Sequence, residues 1–108
     1  MLDELHAVIG DAVAQIVAVF LEDAPQLVQQ LQQAAQGNDI ERLQALSHSL
    51  KSSSANVGAL SLSAVARRIE LEARSGSLQR PAVAVALLVA EFARARVALT
   101  GYLAGQAR

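Results

Sequence analysis

An all-α fold, an antiparallel up-down four-helix bundle with a short N-terminal capping helix, is what the chain predicts, and three observations predict it. Apolar residues recur at helical three- and four-residue spacing along most of the chain, while period-two alternation is scarce. The breaks between these stretches (Gly37-Asn38-Asp39, Val57-Gly58 and Ser75-Gly76-Ser77) are short, which makes successive helices antiparallel neighbours. Apolar residues make up 53% of the 108 positions, much of that alanine, with two phenylalanines and one tyrosine as the only aromatics; such small side chains suit closely packed helices. The length supports one core, so residues 1–108 read as a single domain.

Leu2, Leu5 and Ile9 share a face, so Leu2 to Ile9 reads as the short first helix. Gly10-Asp11 is expected to end it, glycine relaxing the backbone and Asp11 capping the second helix. His6 reads as an ordinary surface histidine, because nothing near it has ligand spacing. Ala12 to Ala35 reads as one long helix with Ile16, Val19, Phe20, Leu27, Leu31 and Ala34 on its apolar stripe. Pro25 removes one backbone hydrogen bond and crowds the preceding turn, so a kink or break is expected near Leu21 to Ala24. Gln26, Gln29, Gln30, Gln33 and Gln36 form a solvated face.

Gly37-Asn38-Asp39 stops that helix and caps the next, which is expected over Ile40 to Asn56 and closes at Gly58 in a left-handed conformation. A further helix runs from about Ala59 to Arg74 with Leu62, Val65, Ala66, Ile69 and Ala73 inward. Ser77 is the N-cap expected for the last helix, from about Leu78 to Leu103, with Pro81 in its first turn, where proline is tolerated. Val85, Leu88, Val89, Phe92, Val97 and Leu99 supply its apolar side, and Gly105 to Arg108 are expected to fray.

Several function classes are disfavoured. A net charge of −1 supplies no basic field for nucleic acid. The absence of cysteine rules out disulfides, thiolate metal sites and cysteine nucleophiles, and fits a reducing compartment. No apolar run reaches the roughly 18 residues of a membrane span; Pro81 to Ala90 is about half that and is followed by Glu91, Arg94 and Arg96. Asp3 and Glu4 stand where a signal peptide would carry basic residues. There is no glycine-rich phosphate loop and no carboxylate cluster for magnesium, so ATP binding and intrinsic kinase activity are not expected. A cytoplasmic monomer without direct membrane contact is the expectation. With Met1 at its start and no catalytic neighbour, the chain is expected to be an isolated domain or one excised from a larger protein.

Functional interest concentrates between Ala45 and Glu70. At about 100° per residue, Ile40, Leu43, Ser47, Leu50, Ser54 and Val57 fall on one stripe of their helix, the face to be buried. His48 points roughly 130° away from that stripe. Its neighbours on the exposed strip, Ala45, Ser52 and Ala55, are small, so the imidazole stands clear for a large partner. Lys51, three residues on, can reach the same space. Ser54 lies on the core stripe, where a small residue lets helices approach.

In order, His48, Leu50, Lys51, Ser52, Ser53, Ser54, Val57, Gly58, Ala59, Leu62, Ile69 and Glu70 form a spaced pattern, and on it the stretch resembles the histidine phosphotransfer (HPt) domain family. The FLEDAP segment, Phe20 to Pro25, is similar to the family's preceding helix. One departure stands out: Ser52 occupies the place where the family most often has glycine, which narrows partner access without closing it. The resemblance implies that His48 accepts a phosphoryl group from an aspartyl phosphate on a response-regulator receiver domain. It then relays the group to another receiver aspartate in a multistep phosphorelay, from or beside a hybrid sensor histidine kinase of a bacterial two-component system. No cofactor is implied for this chain, the magnesium being brought by the receiver.

Such a transfer needs a neutral, exposed imidazole, a group that titrates near working pH. It needs help for the phosphoryl oxygens, for which Lys51, assisted by the Ser52 hydroxyl, is the candidate. It also needs an acceptor on the far ring nitrogen to fix the tautomer. Folding the hairpin about Val57-Gly58 brings His48 near residues 66 to 68, within a turn of Glu70, which lies on the flank of its helix. The resemblance points to Glu70 as the orienting residue; the competing reading is a surface ion pair with Arg67 or Arg74. For docking, Leu5 and Ile9 are expected to supply apolar contacts, and Ala45, Ser52 and Ala55 the flat floor under the partner.

Other classes compete. A kinase dimerisation domain also carries a helical histidine, but with an acidic residue directly after it, where this chain has Ser49. A non-catalytic helical adaptor that only docks receivers would show the same bundle without the chemistry.

Overall fold

The computed structural model describes the backbone of residues 2–106 and the side chains of residues 10–106. Four α-helices and no strand form among them: α1 (Leu2–Gln36), α2 (Ile40–Asn56), α3 (Leu60–Ser75) and α4 (Pro81–Gln106). α1 and α3 each pack on both α2 and α4, and the backbones of neither diagonal pair come close, so the helices close a four-membered ring. The expected all-α four-helix bundle is therefore present, with three, three and five residues between successive helices.

The short first helix is not a separate element. α1 runs unbroken from Leu2 through Gly10, Asp11 and Pro25 to Gln36. At 1.5 Å per residue its 35 residues span about 52 Å, which accounts for the molecule's 53 Å long dimension. Packing overrides the local breakers. Glycine inside a helix costs only about 0.5–1 kcal/mol. Here α1 still has α4 beside it, since a β-carbon on Gly10 would sit 3.6 Å from the Gln106 side-chain oxygen. Pro25 costs about 3 kcal/mol, but buried Phe20, Ala24, Val28 and Leu31 bracket it and hold both halves against the core.

The turns follow from local chemistry. α1 ends with Asn38, not Gly37, in the left-handed region (φ 53°), and Asp39 N–H reaches back to the Ala34 carbonyl at 2.9 Å. Asp39 also caps α2, its side chain accepting from Arg42 N–H at 3.2 Å. Gly58 (φ 76°) closes α2 as expected, with Ala59 N–H on the Ser54 carbonyl at 2.9 Å. Gly76 does the same for α3, which ends one residue later than expected. Ser77 does not cap α4. It finishes α3, its N–H donating to the Glu72 carbonyl at 2.9 Å. α4 starts at Pro81 instead of Leu78, because proline pushes the residue before it, Arg80, out of the α region. At the other end α4 continues through Gly105 and Gln106, where fraying was expected.

Leu31, Leu43, Leu50, Leu62 and Leu88 form the fully buried centre, with Phe20 and Phe92 packed ring to ring below them. The α2 stripe reads as expected, down to buried Ser47 and Ser54, whose hydroxyls find no hydrogen-bond partner. Three apolar residues expected inward are not. Ile16 and Val19 are 50% and 52% exposed, because the buried stripe of α1 passes through Val17, Phe20, Ala24 and Val28 instead. Val97 is 74% exposed, because α4 buries positions 85, 88 and 92 and Val97 falls on the far side of that spacing.

Candidate functional site

α2 and α3 are the most closely associated helices of the ring, and the site lies on their outer seam. The three-residue connection at Val57, Gly58 and Ala59 folds them back on each other, so positions equidistant from the turn face one another. Ser63, in the first turn of α3, donates its hydroxyl to the Lys51 carbonyl at 2.9 Å. Further from the turn, Glu70 meets both Lys51 and His48.

His48 stands on the outward face of α2 with its side chain 61% exposed. The Glu70 side chain, by contrast, is 2% exposed. It does not sit on the flank of α3; it points into the seam, and its two oxygens take three donors. His48 Nδ1 lies 2.6 Å from Oε2, Lys51 Nζ 2.6 Å from Oε1, and Arg74, one turn on, donates an N–H to Oε2 at 3.2 Å. A carboxylate that deep is tolerable only when its lone pairs are filled. The Lys51 hydrogen bond holds the Glu70 carboxyl below the usual carboxylate range, His48 acting in the same sense and burial against it.

An ionised Glu70 can only accept, so Nδ1 carries the proton and donates it. The other ring nitrogen, Nε2, is then the one with a free lone pair, on an exposed ring. The competing reading of Glu70 as an ion pair is met in part, through Arg74, but in a buried seam and not on the surface. Lys51 is brought to Glu70; one N–H is engaged there, and an ammonium has three.

Around the ring, Ala45, Ser52 and Ala55 are exposed, as the helical spacing requires. Leu5, Ile9 and His6 have side chains outside the described residues. A shallow groove between α1 and α2 passes Ile16, Val19 and Leu27 on one side and Ser49, Ser53 and Val57 on the other. Its exposed Ile16 and Val19 have the spacing of core residues, so the sequence pattern alone hides this apolar border. Ser63 was also missed; a small hydroxyl residue just after the hairpin turn is the signal that could have found it. Among the described residues no three His, Asp or Glu side chains gather to hold a metal ion, and no helix is long and apolar enough to cross a membrane.

A family model described as the Hpt domain matches residues 15–98. Among solved structures, the chain is similar to the crystal structure of histidine-containing phosphotransfer protein B from Pseudomonas aeruginosa PAO1. The TM-score is 0.82 and the identity 29%, over 94% of this chain and 89% of that one. A comparison with curated protein sequences finds no match.

Proposed function

Because the chain belongs to the Hpt domain family, whose members pass phosphoryl groups through a histidine in phosphorelays, we propose that His48 is the residue that carries the group here. The observation that carries this reading is the 2.6 Å contact between the exposed ring's Nδ1 and the buried Glu70 carboxylate. It turns a surface imidazole into an oriented nucleophile.

The Nε2 lone pair attacks the phosphorus of an aspartyl phosphate on a receiver domain. The P–N bond forms as the P–O bond to the aspartate breaks, and the electron pair leaves with the receiver's carboxylate. The ring gains positive charge while Nδ1 keeps its proton, and the Glu70 carboxylate offsets that charge from behind. Passing the group to a second receiver is the same sequence in reverse. Lys51 uses its remaining N–H groups on the phosphoryl oxygens, with the Ser52 hydroxyl beside it. Magnesium comes with the receiver: among the described residues Glu70 is the carboxylate bonded to the ring, and its oxygens are already taken by Lys51, Arg74 and His48.

The receiver docks over Ala45, Ser52 and Ala55, small enough to let its active-site loops down onto the ring. Ile16 and Val19 supply apolar border contacts. A small, apolar-centred contact fits a partner that must leave after each transfer. The domain acts in the bacterial cytoplasm as a monomer, with receivers of a hybrid sensor kinase among its partners.

The test is phosphoryl transfer from a phosphorylated receiver to wild type and His48→Gln, with circular dichroism in parallel. Complete loss of the acid-labile phosphate with an unchanged helical spectrum is expected. Transfer at the wild-type rate in His48→Gln overturns the assignment.

A further inference from the structure

Pro81 to Ala90, the opening turns of α4, contain no charged side chain. A helix that is apolar on every side is normally covered on every side. This one is covered only inward, where Val85 and Leu88 are buried, while Val83 is 53% and Leu87 61% exposed. Both line an open groove on the outer seam of α3 and α4, floored by half-buried Val65, Leu78 and Ala84. Exposed arginines stand along the seam, Arg68 and Arg80 at the groove and Arg94 further up α4. We propose that this seam docks a partner protein through an amphipathic helix with an apolar stripe and acidic residues at both ends.

Charge, spacing and shape select that occupant. Residues 2–56 hold seven acidic and two basic side chains, net −5, whereas residues 60–106 hold six basic and three acidic, net +3. Glu72 already answers Arg68 at 3.0 Å and Glu91 answers Arg94 at 2.6 Å, while among the described residues Arg80 makes no ion pair. The seam therefore attracts acidic side chains, and the α1 side of the molecule repels them. Arg80 and Arg94 fall within about 40° of each other around α4 and about 21 Å apart along it, with Val83 and Leu87 between them. A partner helix of about four turns spans that distance, its apolar anchors three and four residues apart. The apolar floor is recessed between two helices, a shape that takes the ridge of a third helix and not a flat bilayer. The seam lies across the four-membered ring from the α1/α2 groove beside His48, and Arg68 sits about 200° around α3 from Glu70, so the bound helix leaves the imidazole open. Such a contact goes beyond phosphotransfer: it holds the domain to one protein while receivers come and go at His48.

The experiment uses the full chain and a fluorescein-labelled synthetic helical peptide, with leucines three and four residues apart and glutamates at both ends, followed by anisotropy and backbone NMR. The acidic peptide should bind and shift the amides around Val65, Leu78, Val83 and Leu87. The same peptide with lysines for glutamates should bind at least ~tenfold more weakly. Leu87→Glu should weaken binding of the acidic peptide at least ~tenfold and Arg80→Glu about three- to fivefold, the second difference vanishing at about 1 M salt. Circular dichroism of both variants checks the fold, and Arg80→Glu with its salt dependence still decides if Leu87→Glu loses helix. With the peptide bound, His48 should take phosphate from phosphoramidate at the unbound rate. No binding, equal binding of the lysine peptide, shifts centred on Ile16 and Val19, or a block of phosphate acceptance overturns the inference. So does self-association of the wild type that Leu87→Glu abolishes, which makes a second copy the occupant, or binding to phosphatidylglycerol vesicles that it abolishes, which makes a membrane the occupant. Failure of the wild type to take phosphate on His48 without peptide would instead overturn the phosphotransfer reading and leave the seam standing.

Discussion

The two helix pairs that build this bundle are held in different ways. Between α1 and α4 the contact is apolar, with Phe20 and Phe92 meeting at 6.4 Å between ring centroids and 55° between planes. Among the described residues no side-chain hydrogen bond joins those two helices. Between α2 and α3 three polar links cross the seam: Ser63 to the Lys51 backbone, and Lys51 and His48 to Glu70. Apolar burial is nearly indifferent to small slides of one helix along another; hydrogen bonds are not, weakening steeply with distance and angle. Stability can come from the first kind of contact. Aiming a reacting nitrogen needs the second, since misplacement by about 1 Å can cost on the order of a hundredfold in rate.

If that division holds, substitutions on the two seams should separate stability from chemistry. The largest expected effect on stability is Phe92→Ala, about 3–5 kcal/mol in urea unfolding, with the transfer rate of the folded fraction unchanged. A variant that stayed stable but transferred slowly would dissolve the distinction. Glu70→Gln should do the opposite at neutral pH. Acceptance from phosphoramidate should fall roughly 10- to 100-fold, less than when a buried triad carboxylate is lost, because the ring is already exposed. The melting midpoint should move far less than in Phe92→Ala.

The same variant has a signature in acid. The folded Glu70 carboxyl is held below its ordinary value of 4.5, first by Lys51. The stabilisation this gives is complete above the unfolded value and is lost as pH falls through the folded one. Melting midpoints should therefore fall more steeply for wild type than for Glu70→Gln below about pH 4.5. Parallel curves would mean that the carboxylate adds nothing to the seam. The smallest effect is that of Ser63→Ala. It should cost about 1 kcal/mol or less, the net worth of one hydrogen bond, with a several-fold slower transfer. An unchanged transfer rate would leave Glu70 as sole keeper of the register.

The sequence was most legible where one residue type had one structural use. Gly58 had to close α2, Asp39 had to cap it, and the 40-43-47-50-54-57 stripe had to turn inward, leaving His48 out. It was least legible where tertiary packing outvoted local preference. Gly10 and Pro25 argue for breaks that neighbouring helices suppress, and Ile16, Val19 and Val97 look like core residues until the true stripe is known. Glu70 was found but misplaced. Helical periodicity puts a charged residue at the edge of a face, and nothing in one helix's pattern reveals that Lys51, His48 and Arg74 converge to make burial tolerable.

The His48 ring is tethered from behind and open in front, and this bears on the direction of traffic. The tether at Nδ1 is the same whichever receiver stands before Nε2, so arrival and departure of the phosphoryl group use one geometry. A carrier built this way has no ratchet. On the proposed reading, which way the signal runs is set by mass action, through the relative abundance of phosphorylated and unphosphorylated receivers at the domain's surface.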